Sequence, residues 1–247
     1  MIQREILVKS TLDDSLQPSL FYPASRKGRP LLVGLHTWSH DRFNQIDNML
    51  PWAEKLDFNL LLPEFRGSNL DTNPNCLQAC GSQYARQDVK DAIDHVLPEV
   101  DAQNVFLLGL SGGGHMALLT AAFWPQLFKA VGAAVPITDL VKWSEQNADY
   151  KPHILACCRT PEEMAARSPI TYADGIARAN VKIFHGKFDP VVPVSHSVAL
   201  YEKINGYDPA ARVFLDIFDG GHQIDMQSAM HWLLSQYESK EATQVTG

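Results

Sequence analysis

Five residues, Gly109-Leu110-Ser111-Gly112-Gly113, set a serine between two glycines at the spacing G-x-S-x-G. A bare pattern of this kind arises often by chance, so its neighbours decide its meaning. Before it runs Asn104-Val105-Phe106-Leu107-Leu108-Gly109, with the continuous apolar character of a strand buried on both faces. After it comes the almost wholly apolar stretch Met116–Phe123, the mark of a buried helix. A serine on a sharp strand-to-helix turn has strained backbone angles, and side chains two positions to either side would collide. Gly109 and Gly113 remove those side chains. Such a turn lifts the Ser111 hydroxyl clear of the sheet and points the next helix N-terminus at it. The chemistry this serves is nucleophilic attack. A phosphate-binding turn competes as a reading, but neither a dinucleotide pattern nor a Gly-Lys-Ser/Thr ending is present.

A serine hydroxyl is a weak nucleophile and needs a base, which in turn needs an orienting carboxylate. In sites of this type the acid and then the histidine follow the serine along the chain, each on a loop beyond a strand end. His222 lies in Asp219-Gly220-Gly221-His222, after the last strand, where two glycines let a short loop carry an imidazole over the serine. Among the nine histidines, His36 and His185 end strands, His115 lies on the helix after the serine, and His95 and His231 lie on helices at surface positions. Asp189, in His185-Gly186-Lys187-Phe188-Asp189-Pro190, is the expected acid, although Asp before Pro also starts turns. Asp139 is its rival, and Asp219 is too close to His222 along the chain. The tetrahedral intermediate also needs hydrogen-bond donors. The Gly112 N–H is one. The second is assigned to the Trp38 N–H in Leu35-His36-Thr37-Trp38-Ser39-His40, with Thr37 as alternative. Lipases and esterases often carry His-Gly there, and Thr37 stands in place of that glycine.

The elements that must position these groups alternate. Ile2–Val8 and Ser19–Tyr22 read as an opening strand pair, Leu31–Leu35 and Phe58–Leu62 as buried strands, with a helix over Ile46–Leu56 between them. Gln83–Leu97 is amphipathic, with Val89, Ala92, Ile93, Val96 and Leu97 on one stripe and Asp88, Lys90, Asp91 and Asp94 on the other face. Strands follow at Ala130–Val135, Val181–Phe184 and Arg212–Phe218, with helices near Ser195–Ile204 and from Ile224 to Tyr237. The polar tail Ser239–Gly247 is expected to fray. This is the rhythm of an α/β protein, a mostly parallel sheet with helices on both faces. Residues 137–180 break it and read as an insertion of one or two short helices capping the site. In it Trp143, Tyr150 and Tyr172 either line an acyl pocket or form the insertion's own core. Arg66 either meets an acidic or sugar group or ties loops together.

Composition narrows the function. The 247 residues carry 21 Lys+Arg against 28 Asp+Glu, a net charge of −7, and no basic run to hold nucleic acid. No apolar stretch approaches a membrane span, and no signal-like segment opens the chain, so a soluble cytoplasmic protein of one domain over 1–247 is expected. Cys76, Cys80, Cys157 and Cys158 match no zinc spacing; they read as four reduced thiols, or as a Cys76–Cys80 disulfide. No metal or other cofactor is implied.

Further stretches resemble the α/β-hydrolase superfamily, and within it the catalytic domain of prolyl oligopeptidase-like serine hydrolases. Pro63-Glu64-Phe65-Arg66-Gly67-Ser68 looks like its arginine-glycine-serine loop, and Asp88-Val89-Lys90-Asp91-Ala92-Ile93 like the helix before the nucleophile strand. Arg167-Ser168-Pro169-Ile170, Ile183-Phe184-His185-Gly186 and Asp189 with Val192-Pro193 are similar to its run into the acid. The likeness covers roughly residues 30–237. The family's peptidases carry an N-terminal propeller, for which about 30 residues before the first central strand leave no room. The short Thr37-Trp38 loop also departs from the family's glycine-rich form. Together these imply a stand-alone esterase cleaving small-molecule or carbohydrate esters, acetyl or feruloyl among them. A serine exopeptidase or amidase and a non-catalytic ligand-binding hydrolase fold are the alternatives.

Overall fold

The computed structural model describes residues 1–238, without the side chain of Glu238; the tail Ser239–Gly247 lies outside the described residues. Strands β1 (Arg4–Lys9) and β2 (Leu16–Tyr22) form an antiparallel ribbon. β2 pairs antiparallel with β4 (Asn59–Pro63). From there the sheet is parallel through β3 (Leu31–Leu35), β5 (Val105–Leu110), β6 (Ala130–Ala134), β7 (Val181–Gly186) and β8 (Val213–Phe218). The eight-stranded order is β1-β2-β4-β3-β5-β6-β7-β8. The chain winds outward from β3 to β4, then crosses back to β5 on the other side. That reversal opens a crevice beyond the carboxyl ends of β3 and β5, the usual place for a site in an open α/β sheet.

The period-two alternation of the central strands feeds two cores. Val105 and Leu107 of β5 join one, while Phe106 and Leu108 join the other. Helices α1 (Ile46–Leu56) and α9 (Met226–Glu238) cover one face through Met49, Ala53, Ala229, Met230 and Leu233. Helices α2 (Gln83–Val96), α3 (Gly112–Phe123) and α8 (Ser195–Tyr207) cover the other. In α3 every residue from Gly112 to Ala121 is buried, as its unbroken apolar run implies.

The fold departs from the simple pattern in two places. The polar face of α2 is not solvated throughout: Asp88 and Asp91 are buried because the β1–β2 turn and the loop after β4 pack on it. Asp91 accepts the Thr11 N–H at 2.7 Å, and Asp88 pairs with Arg66. Between β6 and β7, among the described residues, stand four short helices rather than one or two. They are α4 (Leu140–Gln146), α5 (Lys151–Cys157), α6 (Pro161–Ala166) and α7 (Ala173–Ile176), with a 3₁₀ turn at Pro169–Tyr172. Each break has local punctuation: Asp139 caps α4, Thr160 caps α6, and Pro152, Pro161 and Pro169 open the turns that follow. Among the described residues no helix is long and apolar enough to cross a membrane.

Candidate active site

Ser111 follows β5 and precedes α3 with φ 56° and ψ −116°, a conformation that costs a non-glycine residue about 1–3 kcal/mol. Close packing enforces it. A Cβ on Gly109 would lie 2.1 Å from the Gly113 carbonyl oxygen, and one on Gly113 would lie 2.4 Å from that of Leu35. The Ser111 N–H donates to Ala134 O of β6 at 2.8 Å, and its carbonyl accepts the His115 N–H. The hydroxyl is thereby held at the sheet's carboxyl edge.

His222 arrives from the loop after β8. That loop crosses directly over β7, where a Cβ on Gly186 would lie 2.1 Å from Gly221 O. The Phe188 N–H donates to Gly220 O at 2.9 Å, so the histidine loop and the acid loop are pinned to each other by backbone. The Ser111 hydroxyl donates to His222 Nε2 across 3.0 Å, and His222 Nδ1–H donates to Asp189 Oδ2 at 2.8 Å. The other carboxylate oxygen accepts the Val191 and Val192 amides at 2.8 and 2.9 Å. Burial alone would raise the Asp189 pKa. The contacts from His185, His222 and the Val192 amide outweigh it and hold the carboxyl well below its usual range. Asp139 instead caps α4 by accepting the Lys142 N–H, and Asp219 is exposed.

The Trp38 backbone lies against Gly112, where an added Cβ would come within 2.5 Å of Trp38 N. The two candidate amides therefore sit side by side. Thr37 is otherwise engaged, its N–H donating to Asn44 Oδ1 at 3.1 Å. Among the described residues nothing accepts the Trp38 N–H. Gly112, as the first residue of α3, has no intrahelical acceptor for its own. The loop is held from below by Asn69, whose N–H donates to Trp38 O at 2.8 Å. Asn44 and Asn69 carry no sequence signal, since an asparagine in a polar loop is commonplace.

Four other histidines are buried in structural roles. His36 stacks on Phe65 at 3.9 Å between the Thr37 and Glu64 carbonyls. His185 lies inside β7, bridging Ser197 Oγ and Val192 O and packing 3.4 Å from Asp189 Oδ2. His115 donates from Nε2 to Arg167 O, and His196 meets Gln146 Oε1; burial lowers each pKa to about 4.

The expected pocket residues divide. Trp143 and Tyr150 both pack on Trp38, with ring centroids 4.9 and 6.4 Å away. Trp143 is wholly buried and donates to Val191 O, so it backs the wall, while half-buried Tyr150 offers an edge. Tyr172 is elsewhere. Its ring lies 4.9 Å from Phe123, which at 1.5 Å per helical residue is about 18 Å along α3 from Ser111. Arg66 does not face the site either. It is buried in a bidentate pair with Asp88 (2.6 and 3.1 Å) and a second with Asp13 (2.8 and 3.0 Å), tying the β1–β2 turn to α2. Among the described residues no group of three or more His, Cys, Asp or Glu is placed to hold a metal ion.

A mostly parallel sheet with a serine on a strained turn after β5, an aspartate beyond β7 and a histidine beyond β8 is the α/β-hydrolase fold, and solved structures share it. Pyrococcus horikoshii acylaminoacyl peptidase superposes with TM-score 0.73 at 21% identity, over 98% of this chain and 41% of its own. A Pyrococcus furiosus esterase does so with TM-score 0.69 at 16% identity, over 95% of this chain and 88% of its own. At such identities the likeness is one of fold. Residues 44–238 match the prolyl oligopeptidase family, and the chain belongs to that family of serine hydrolases. Mouse acylamino-acid-releasing enzyme is 28% identical over 203 residues, 75% of this chain. The chain spans 28% of that relative's length.

Proposed function

We propose that the chain hydrolyses carboxylic esters through an acyl-enzyme on Ser111. The observation that carries this reading is the unbroken hydrogen-bonded line from the Ser111 hydroxyl through His222 to Asp189. His222 Nε2 takes the hydroxyl proton as Oγ attacks the ester carbonyl. Asp189, charged and wrapped in donors, keeps the second imidazole proton on Nδ1 and stabilises the imidazolium. The carbonyl oxygen, now an anion, rests on the Gly112 and Trp38 amides. His222 returns its proton to the departing alcohol, and a water molecule activated by the same imidazole releases the acid. Tyr150 and Trp38 border the acyl group in this reading.

An alcohol leaving group asks less of His222 as a proton donor than an amine does. The identity to mouse acylamino-acid-releasing enzyme favours a second reading, cleavage of an acylated amino-acid amide by the same residues. Fluorophosphonate labelling tests the shared core: it should vanish in Ser111→Ala, and labelling that persists there removes Ser111 as nucleophile. Turnover of p-nitrophenyl acetate against an N-acetylaminoacyl p-nitroanilide separates the two substrates. Preference for the anilide overturns the ester reading in favour of the second. Tight ligand binding with no turnover of either substrate would leave a binding protein on a hydrolase fold.

A further inference from the structure

All four cysteines of the chain meet in one place, although they come from two distant segments. Cys76 and Cys80 lie in the loop after β4; Cys157 ends α5 and Cys158 follows it. Cys158 Sγ faces Cys80 Sγ at 3.8 Å, across 78 residues of sequence. Cys157 belongs to the same packed cluster and is near enough to both Cys76 and Cys80 to help raise the pKa of each thiol. Cys80, Cys157 and Cys158 are buried, whereas Cys76 reaches partly to solvent, with Sγ donating to Ala156 O at 3.5 Å. All four are free thiols, and no Cys76–Cys80 bond is formed. The segments are held at this separation by other bonds. Arg167, after α6, donates to the Leu77 and Ala79 carbonyls, both at 3.1 Å, and the Cys80 N–H donates to Asn69 Oδ1 at 2.6 Å.

Thiols clustered from a partly exposed member to buried ones, the innermost two facing each other, constitute an exchange path. We propose that these cysteines form a thiol–disulfide exchange site that takes a low-molecular-weight disulfide at Cys76 and ends oxidation in a Cys80–Cys158 bond. Cys76 loses its proton to solvent and attacks one sulfur of the reagent; the reagent's S–S bond breaks and one small thiol leaves. Cys157 then attacks Cys76 Sγ and expels the second small thiol. Cys80 attacks Cys157 Sγ, freeing Cys76, and Cys158 attacks Cys80 Sγ, freeing Cys157, which regains a proton. In sum Cys80 and Cys158 lose two protons and two electrons, and one reagent disulfide becomes two thiols. The Cys80–Cys158 bond is the end point because those sulfurs already face each other at 3.8 Å. The hydrogen bond with Cys80 and, after it, the nearby Arg167 guanidinium hold the Cys158 thiol below its ordinary range and favour it as the last attacking group, while burial pushes the Cys76 and Cys80 thiols up and makes the exchange slow.

The test uses the full chain in oxidised and reduced glutathione at a series of ratios. Free thiols are then alkylated, the intact mass is measured, and peptides are mapped without reduction. The four thiols should fall to two, and one linked peptide pair should carry positions 80 and 158. In Cys76→Ser the same bond should form about tenfold more slowly, since its entry group is gone. The readout on the unaltered chain needs no variant to fold. Four thiols persisting at every ratio, a glutathione adduct stalled on Cys76, or a linked Cys76–Cys80 or Cys157–Cys158 peptide would each overturn the proposal.

Discussion

The closeness of Gly112 to Trp38 makes a sharp demand on the candidate oxyanion site. In Gly112→Ala the new methyl would sit 2.5 Å from Trp38 N and 2.7 Å from Trp38 Cα, both backbone atoms that cannot rotate aside. Ordinary contact begins near 3.4 Å, so the Trp38 loop must retreat by about 0.9 Å. A hydrogen bond of about 2.9 Å from the Trp38 N–H would lengthen to roughly 3.8 Å, beyond the working range. One lost oxyanion donor costs about 100- to 1,000-fold in kcat, or roughly 3–4 kcal/mol. The helix gains a residue of better propensity, so folding should suffer far less than turnover. The assay is kcat and KM on p-nitrophenyl acetate together with a thermal melt, with Gly206→Ala as control because nothing lies within 4 Å of a Cβ there. Expected are a large fall in kcat, a nearly unchanged KM, and an unaffected control. A kcat within threefold of the parent, with the fold intact, would show that the Trp38 amide does not hold the anion.

Three further outcomes follow from the packing. Arg66→Ala leaves the buried Asp88 carboxylate without its cation and should cost about 3–5 kcal/mol in urea unfolding. His115 and His196 are neutral in the fold, with pKa values near 4, but take up protons near pH 6.5 when the chain unfolds. Stability from these two is complete above pH 6.5 and declines as pH falls to about 4, by up to roughly 3 kcal/mol for each imidazole; unfolding midpoints measured across that window check it. Tyr172→Ala should leave kcat/KM on short esters within about twofold, whereas Tyr150→Ala should change KM, which steady-state kinetics on a series of acyl lengths would read.

The parts of this molecule governed by local pattern were legible from sequence, and those governed by distant partners were not. Strand β3 and helix α1 run over the residues that their apolar periodicity marks, because nothing outside them competes for those side chains. The expected acid and histidine lie beyond consecutive strand ends, and parallel neighbours carry such loops to one edge. Arg66 was ambiguous because its partner Asp13 is 53 residues away, in a turn whose packing on α2 no periodicity reports. The same turn buries Asp91, which a helical wheel assigns to solvent. Tyr172 shares its segment with Trp143 and Tyr150, yet the 3₁₀ turn that carries it packs along the flank of α3 instead of over the crevice. The thiol cluster was invisible for a similar reason: spacing within each pair says nothing about the other pair.

The serine and the imidazole are joined across 111 residues, and both contacts that fix the histidine loop, over Gly186 and onto Phe188, are backbone contacts with the adjacent strand and its loop. No fragment holding only one of these segments contains the serine paired with the imidazole. Acquisition of reactivity toward a fluorophosphonate during refolding should therefore lag the return of helical signal, making the probe a reporter of completed β7–β8 assembly rather than of secondary structure.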